Sequence, residues 1–231
     1  NGIHAIFCNS GNANACTGKQ GMDDARLTIK LLAEEFEISP GSILIASTGI
    51  IGVPMPMDAI RYGISKIRRK LTVENNVRNA TDAIMTTDTR RKLSKVTCMI
   101  GGKLVTIGAI AKGSGMIRPN MATMLAFLTT DCAIEQKLMQ RALKNAVKHS
   151  FNKISVDGQM STNDTVYLLA NGRQNNPPIN RTGANFSIFE EALTVLCKHL
   201  ADDIVNDGEG ITKVIRINVK GAASKEEAET V

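Results

Sequence analysis

The sequence predicts an α/β protein with layered mixed sheets and flanking helices, and three observations support this prediction. Short apolar runs of strand length alternate with longer stretches in which apolar residues recur at helical spacing. Gly101–Gly102 separates two apolar runs, which is a strong signal for an antiparallel hairpin. The chain has 231 residues, 43% hydrophobic and 22% charged, which is enough to bury a sizeable core.

The first part of the chain predicts two strands around a helix. Residues 3–8 form an apolar run, and residues 9–18, rich in Asn and Gly, form a loop able to present backbone N–H groups. Residues 22–36 carry leucines at helical spacing, and the helix should stop before Ser39–Pro40, because the residue before a proline disfavours the helical conformation. Residues 42–47 are expected to form a buried strand.

The middle of the chain predicts two helices and then a hairpin. Helices are expected over residues 58–69 and 73–85. Residues 93–100 and 103–111 are the two strands of the hairpin, and its second strand leads directly into Lys112.

The second half of the chain repeats the alternation of strands and helices. An apolar run begins abruptly at Thr123 and predicts a strand over residues 123–131. Residues 134–151 are amphipathic, and the longest helical pattern spans residues 186–205. Strands are expected over residues 165–170 and 212–219. No repeat or flexible linker divides the chain.

The net charge of +6 and the pI of about 9.1 raise nucleic-acid binding as an alternative class of function. Aromatic residues make up 3% of the chain and Trp is absent, so platforms for base stacking are few. The basic residues are dispersed apart from residues 66–70 and 90–92, and we interpret the first cluster as the solvated face of a helix. We therefore expect no nucleic-acid partner.

Cysteine usage and hydropathy indicate a cytoplasmic protein without a membrane partner. The cysteines number five and lack C-x-x-C pairing, which disfavours both a disulfide framework and a zinc site. No apolar run reaches the ~18 residues of a membrane helix, and no targeting segment is visible at the start of the chain. Asp157 and Asp164 lie in a polar stretch without the EF-hand pattern, so we expect turn chemistry there and no metal.

Residues 112–125, KGSGMIRPNMATML, place the hydroxyl of Thr123 where a loop of glycines and a proline meets an apolar strand. A threonine hydroxyl is a weak nucleophile without a base. If the Ala122–Thr123 bond is cut, Thr123 gains an α-amine with a reference pKa of about 7.7–8.0, which can take the hydroxyl proton. The three histidines have no triad-like neighbours in sequence, which favours this amine. The alternative is a glycine-rich turn into a core strand.

Two short polar segments of the sequence, one after a predicted strand and one after a predicted helix, are candidates for a functional site. Thr48–Gly49 comes after a strand and can aim a hydroxyl and a backbone N–H at one point, as in an oxyanion hole, or can form a plain strand-end turn. Thr86, Thr87 and Asp88 follow a helix and can either cap a turn or bind a polar substrate.

Two charged residues are further candidates. Lys112 can bind a carboxylate as a point charge or simply end a strand at the surface. Glu209 lies between two glycines, where it can approach a ligand closely or stand in an exposed turn.

Residues 112–125 closely resemble the self-cleavage segment of the ornithine acetyltransferase family, also called glutamate N-acetyltransferase. Five further blocks resemble those of the family and occur in the family's order. They are NSGNANACTG (9–18), STGIIG (47–52), IMTTDT (84–89), SVDGQMSTNDT (155–165) and DGEG (207–210). Family sequences also continue beyond both ends of this chain.

The resemblance implies a self-processing N-terminal-threonine acyltransferase fold. It implies cleavage between Ala122 and Thr123 into an alpha segment, 1–122, and a beta segment, 123–231. Thr123 is then the nucleophile, with Thr48 and Gly49 as the oxyanion hole. The implied substrate-binding residues are Thr86, Thr87, Lys112, Thr123 and Glu209, with Thr87 preferred to Thr86.

The implied reaction moves an acetyl group from N2-acetylornithine to glutamate in the cyclic route of arginine biosynthesis. No bound cofactor is implied, and acetyl-CoA is an alternative acetyl donor. The implied assembly is a hetero-tetramer of two alpha and two beta chains. Two other functions stay open: an N-terminal-threonine aminopeptidase or amidohydrolase, in which water accepts the acyl group, and a basic nucleic-acid-binding protein.

Overall fold

A computed structural model describes residues 2–71, 76–118, 124–224 and 227–228 of the chain. Within these ranges the structure is a mixed α/β arrangement, which confirms the predicted fold class. The strands are β1 (Ala5–Asn9), β2 (Ile43–Ser47), β3 (Lys92–Ile100), β4 (Lys103–Lys112), β5 (Leu125–Thr130) and β6 (Thr165–Ala170). The α-helices are α1 (Gly18–Phe36), α2 (Met57–Ile67), α3 (Asn76–Ile84), α4 (Gln136–Lys148) and α5 (Ala184–Val205). Single 3-10 turns lie at Pro40–Ser42, Arg68–Lys70 and Phe151–Lys153.

The smaller unit is a parallel two-stranded sheet of β1 and β2, in which Asn9 lies beside Ser47. Parallel strands cannot be joined by a tight turn, and α1 makes the crossover between them. Apolar residues of α1 and α2 pack against β2 in a separate core. Its buried members are Leu32, Ala33, Ile43, Ile60 and Ile64.

The larger unit is a four-stranded sheet in the order β3-β4-β5-β6. The β3–β4 pair is the predicted hairpin, and Gly101 and Gly102 have φ of 54° and 78°, as a type I′ turn requires. β4 and β5 are antiparallel, β5 and β6 are parallel, and α4 lies in the connection between the parallel pair. Helix α5 packs against β3 and α4. Its face toward the core is the fully buried set Phe189, Leu193, Leu196 and Leu200, at helical spacing.

Several element boundaries differ from the predicted ones. Helix α1 begins at Gly18, before the predicted residue 22. The Thr17 hydroxyl donates to Asn14 Oδ1 at 2.6 Å and makes no cap hydrogen bond, so the usual signal for a helix start is missing. Residues 73–75 of one predicted helix lie outside the described residues, and the remainder forms α3.

The strand predicted over residues 212–219 is wrong for the structure described. The segment has alternating apolar residues but no regular secondary structure, and Ile215 and Ile217 are 83% and 80% exposed. A strand needs a hydrogen-bonding neighbour, and no strand of the described ranges pairs with this segment.

The two sheets meet through side chains of β6, and of the residues just before it, that contact β2. Tyr167 Oη donates to the carbonyl of Ile45 at 3.1 Å. Asn163 Nδ2 donates to the carbonyl and the hydroxyl of Ser47 at 3.1 and 2.8 Å. The loop after β2 therefore lies beside the four-stranded sheet. None of the helices described has both the length and the apolar character needed to cross a membrane.

Candidate active site

Lys112 ends β4 with its side chain turned inward, and only 2% of the residue is exposed. Its Nζ donates to Thr86 Oγ1 at 2.7 Å and to Thr48 Oγ1 at 3.3 Å. Burial lowers the pKa of Lys112, and the nearby Asp88 carboxylate opposes that change without reversing it. Lys112 therefore connects β4 to the loops that follow β2 and α3.

The turn after β2 requires a glycine. Gly49 has a φ of +127°, and a Cβ at this position would lie 2.3 Å from the carbonyl carbon of Gly11. Thr48 N–H donates to the carbonyl of Asn9 at 3.1 Å and fixes the start of the turn. No other residue of the described ranges accepts a hydrogen bond from the Gly49 N–H. The turn thus presents a hydroxyl and a backbone donor on neighbouring residues.

The polar stretch after α3 approaches the loop after β4. Thr87 Oγ1 and Ser114 Oγ lie 2.8 Å apart. Asp88 is buried and accepts hydrogen bonds from the N–H of Thr86 at 3.2 Å and of Gly113 at 2.7 Å. These contacts hold both threonine residues next to Lys112.

Glu209 reaches the same region from the turn after α5. Its N–H donates to the carbonyl of Ser114 at 2.7 Å. Its carboxylate covers Gly115 so closely that a Cβ there would lie 2.8 Å from both Cδ and Oε1. Glu209 is exposed, and no other described residue donates a hydrogen bond to its carboxylate.

These side chains line one cavity of about 770 Å³. It contains every described residue that the sequence analysis nominated for the oxyanion hole or the substrate site. They are Thr48, Gly49, Thr86, Thr87, Lys112 and Glu209. The cavity therefore combines one lysine, the carboxylates of Glu209 and Asp157, hydroxyls and a strand-end backbone donor, which is a set of groups suited to a polar substrate with charge at both ends.

The nominated cleavage site, Ala122 and Thr123, lies outside the described residues. On one side of it, Asp157 accepts hydrogen bonds from the N–H of Met116 at 2.5 Å and of Ile117 at 3.1 Å. On the other side, Asp164 Oδ1 accepts the N–H of Met124 at 2.6 Å. Each flank is thus fixed by an aspartate of residues 155–165.

Burial raises the pKa of Asp164 to about 6, although the hydrogen bond from Met124 and the charge of Lys112 act in the opposite direction. Asp157 Oδ1 also accepts the N–H of Gln159 at 3.0 Å, which is a local turn contact, whereas the hydrogen bond of Asp164 with Met124 joins two distant parts of the chain. Among the described residues, no group of three or more His, Cys, Asp or Glu side chains converges.

Sequence reasoning missed Lys92, which is fully buried at the start of β3. Its Nζ lies 2.7 Å from Asp88 Oδ1 and 2.5 Å from Asp207 Oδ2. The signal was present in the strand alternation, because Lys92 shares its face of β3 with Val96 and the buried Ile100. A lysine at such a position must have a carboxylate partner, since a buried cation without one is costly.

A family model described as "ArgJ family" matches residues 1–231. The "Arginine biosynthesis bifunctional protein ArgJ" of Symbiobacterium thermophilum is 51% identical over 226 residues, which is 98% of this chain and 56% of that protein. The protein of the same name from Listeria monocytogenes is 48% identical over 229 residues, covering 99% and 57%.

A crystal structure of the protein with that name from Bacillus halodurans shares 46% sequence identity and covers 50% of this chain and 61% of that chain, with a TM-score of 0.45. The chain spans little more than half the length of the curated relatives that it matches. Because the family model matches the chain from end to end, the chain belongs to the ArgJ family.

Proposed function

We propose that the full-length protein is a glutamate N-acetyltransferase of arginine biosynthesis, which moves an acetyl group from N2-acetylornithine to glutamate. The observation that carries the proposal is that six residues from four separate parts of the chain line one cavity. Membership of the family supports the reaction, since relatives are named as bifunctional proteins of arginine biosynthesis.

The first step of the proposal is self-cleavage. The Thr123 hydroxyl attacks the carbonyl carbon of Ala122, a C–O bond forms, the C–N bond to Thr123 breaks, and the hydroxyl proton passes to the nitrogen of Thr123. Water then hydrolyses the ester, which leaves a carboxylate on Ala122 and a free amine on Thr123. One product ends at Ala122 and the other begins at Thr123.

The second step is acetyl transfer. The Thr123 amine takes the hydroxyl proton while the oxygen attacks the acetyl carbon of N2-acetylornithine. The proton passes to the leaving nitrogen, ornithine departs, and the acetyl group stays on Thr123 as an ester until the amine of glutamate accepts it. The oxyanion is stabilised by the Thr48 hydroxyl and the Gly49 N–H, which follow β2.

Two of the three charged residues that line the cavity, Lys112 and Glu209, give a substrate a direction, while the third, Asp157, accepts the backbone N–H groups of Met116 and Ile117. Lys112 binds a carboxylate, together with the hydroxyls of Thr86 and Thr87. Glu209 binds the side-chain ammonium of ornithine, and its carboxylate has no ion pair with a described residue that would compete. A lysine on one side and the Glu209 carboxylate on the other suit an acetylated diamino acid.

The proposal extends to the whole protein. The cleaved segments assemble as a cytoplasmic hetero-tetramer of two alpha and two beta chains. The reaction needs no metal and no bound cofactor, and acetyl-CoA is a second acetyl donor to test. Neither a membrane nor a nucleic acid is a partner.

Intact mass spectrometry of the full-length protein, with and without N2-acetylornithine, tests the proposal. We expect two fragments, one of them starting at Thr123 and gaining the mass of an acetyl group on addition of N2-acetylornithine. Thr123→Ala should abolish both cleavage and transfer, whereas Thr129→Ala, at an exposed threonine of β5, should preserve both. A single unmodified chain, or transfer by Thr123→Ala, would exclude Thr123 as the nucleophile.

Product analysis separates the transferase from a peptidase that uses the same nucleophile. N-acetylglutamate should form only when glutamate is present. Release of free acetate or of amino acids at the same rate without glutamate would assign the protein to the hydrolases.

A further inference from the structure

Lys92 forms the centre of a buried cluster of four charges behind the cavity wall. Its side chain and that of Asp88 are 0% exposed, and that of Asp207 is 3% exposed. The Lys92 ammonium lies 2.7 Å from Asp88 Oδ1 and 2.5 Å from Asp207 Oδ2. The Lys92 ammonium therefore joins Asp88, which precedes β3, to Asp207, which follows α5.

The Asp88 side of the cluster fixes Lys112. Asp88 Oδ1 also accepts the N–H of Gly113 at 2.7 Å, and Oδ2 lies 4.0 Å from Lys112 Nζ. Burial by itself raises the pKa of Asp88, but the hydrogen bonds from Gly113 and Lys92 and the charges of Lys92 and Lys112 outweigh it, and the net pKa is lowered. Asp88 is therefore a carboxylate, and the end of β4 is tied to it.

The Asp207 side of the cluster fixes the turn that carries Glu209. Asp207 accepts the N–H of Thr89 at 3.1 Å and the hydroxyl of the same residue. Burial raises the pKa of Asp207, and the hydrogen bonds from Lys92 and Thr89 reverse this, so that the net pKa is lowered. Two residues further on, Glu209 N–H binds the carbonyl of Ser114.

The net charge of the cluster is zero without Glu209. Lys92 and Lys112 contribute two positive charges, and Asp88 and Asp207 contribute two negative ones. Burial of four charges would be costly if any of them lacked a partner. Because the four are balanced among themselves, the exposed carboxylate of Glu209 remains available for a ligand.

We propose that Lys92 is a positioning residue that sets the separation between Lys112 and Glu209, and so selects substrates by the distance between their carboxylate and their ammonium. The inference rests on the proposed function, in which these two groups bind opposite ends of an acetylated diamino acid. Lys112 is the last residue of β4, and Glu209 lies in the turn after α5. The Lys92 ammonium connects these two segments, because it binds Asp88 on one side and Asp207 on the other. Lys92 touches no substrate and acts only through Asp88 and Asp207.

The test compares kcat/KM of the full-length protein for three acetylated diamino acids that differ by single methylenes. They are N2-acetyl-2,4-diaminobutyrate, N2-acetylornithine and N2-acetyl-lysine. The variants are Asp207→Asn, which removes one charge and retains an acceptor for Thr89, and the double change Lys92→Met with Asp207→Asn, which leaves Asp88 opposite Lys112. One methylene is typically worth about 10- to 200-fold in discrimination, and we expect these variants to reduce the preference for N2-acetylornithine by about tenfold or more.

Lys95→Met is the matched control, because Lys95 is an exposed lysine of the same strand. Lys95→Met should keep the wild-type ratios of kcat/KM among the three substrates. Glu209→Gln should weaken the binding of all three, since each carries the side-chain ammonium. If the variants of Lys92 and Asp207 lower kcat/KM for all three substrates by the same factor, within about twofold, the residue is only structural and the inference is overturned. For each variant that folds, the ratio of kcat/KM for N2-acetylornithine to kcat/KM for the other two substrates decides between these outcomes. Absence of transfer in the wild-type protein would instead overturn the proposed function, and this inference with it.

Discussion

The carboxyl group of Asp164 is half-buried beside Met124, and burial raises its pKa to about 6 from 3.8. A carboxyl group whose pKa is higher in the folded state stabilises the fold while it is protonated. That stabilisation is present below the unfolded pKa and is lost as the pH rises through about 6. We therefore expect the free energy of unfolding of Asp164→Asn, relative to that of the wild-type protein, to increase as the pH rises from 4.5 to 7.

Denaturant unfolding at a series of pH values measures this difference in the free energy of unfolding. The range avoids the titration of Asp88 and Asp207, whose pKa values are lowered. The amide in the variant keeps an acceptor for Met124 N–H, so the hydrogen bond should persist. A difference that is constant over the range would contradict the raised pKa.

Gly49 illustrates a second effect of single residues, because the turn that it forms has no room for a side chain. Gly49→Ala would place a Cβ 2.3 Å from a backbone carbon of Gly11 and should displace the Gly49 N–H. If this N–H stabilises the oxyanion, kcat should fall by about 10²- to 10³-fold. Steady-state acetyl transfer by the full-length protein measures the loss.

Gly52→Ala is the control for Gly49→Ala. Gly52 also has a positive φ, +82°, but a Cβ there has no atom within 4 Å. Both variants place a Cβ at a positive φ, with backbone strain on the order of 1–3 kcal/mol each, but only Gly49→Ala also has a clash. Equal losses of activity in the two variants would show that strain, and not the position of the donor, is responsible.

At the scale of elements, the loop after β4 depends on Asp157. Asp157 accepts the N–H groups of Met116 and Ile117, and Val156 N–H donates to the Ile117 carbonyl at 2.8 Å. Each hydrogen bond of an exposed acceptor contributes about 1 kcal/mol or less. We expect Asp157→Ala to accelerate hydrogen exchange at the amides of Met116 and Ile117 by roughly fivefold.

A matched variant separates this local effect from general destabilisation. Asp131 accepts the N–H of Thr106 at 2.8 Å, at the opposite end of β4. Asp131→Ala should accelerate exchange at Thr106 and leave Met116 and Ile117 unchanged. Faster exchange at Met116 in both variants would mean that Asp157 does not anchor the loop specifically.

Elements with a local signal were predictable from the sequence. The Gly101–Gly102 turn predicted the hairpin, and the periodic leucines of residues 186–205 predicted α5. The start of α1 was missed because Thr17 binds Asn14 and does not cap the helix. The prediction of a strand over residues 212–219 was wrong, because a strand needs a second segment to pair with. The alternation of apolar residues in one segment does not show whether such a partner exists.

The candidate site shows the same limit at the scale of the whole molecule. Motif resemblance nominated Lys112 and Glu209 singly, but their shared cavity depends on contacts between residues more than a hundred positions apart. Lys92 belongs to no motif that the sequence analysis used, although its partners Asp88 and Asp207 lie in two of the quoted blocks. Only the packing of α5 against β3 brings Asp207 to it.

The whole molecule consists of a two-stranded and a four-stranded unit with separate apolar cores, and the cavity takes residues from both. Their polar junction includes Asn163, whose amide donates to the hydroxyl and the carbonyl of Ser47 at 2.8 and 3.1 Å. The Ser47 hydroxyl also accepts the N–H of Asn14 at 2.9 Å. Because Thr48 and Gly49 follow Ser47 directly, this junction positions the two residues proposed to stabilise the oxyanion against Lys112 of the other unit.

We expect Asn163→Ala to reduce kcat/KM for acetyl transfer by about 10- to 100-fold, since small displacements of positioned groups are costly for catalysis. Hydrogen exchange should increase in β2 and stay unchanged in β3 and β4, because the variant loosens the junction and neither sheet. Asn206→Ala is the control: its amide donates at 2.8 Å to the carbonyl of Asp202 near the end of α5 and connects no separate units. A loss of activity in Asn163→Ala with uniformly faster exchange in both sheets would contradict a role for the junction, because it would show general destabilisation.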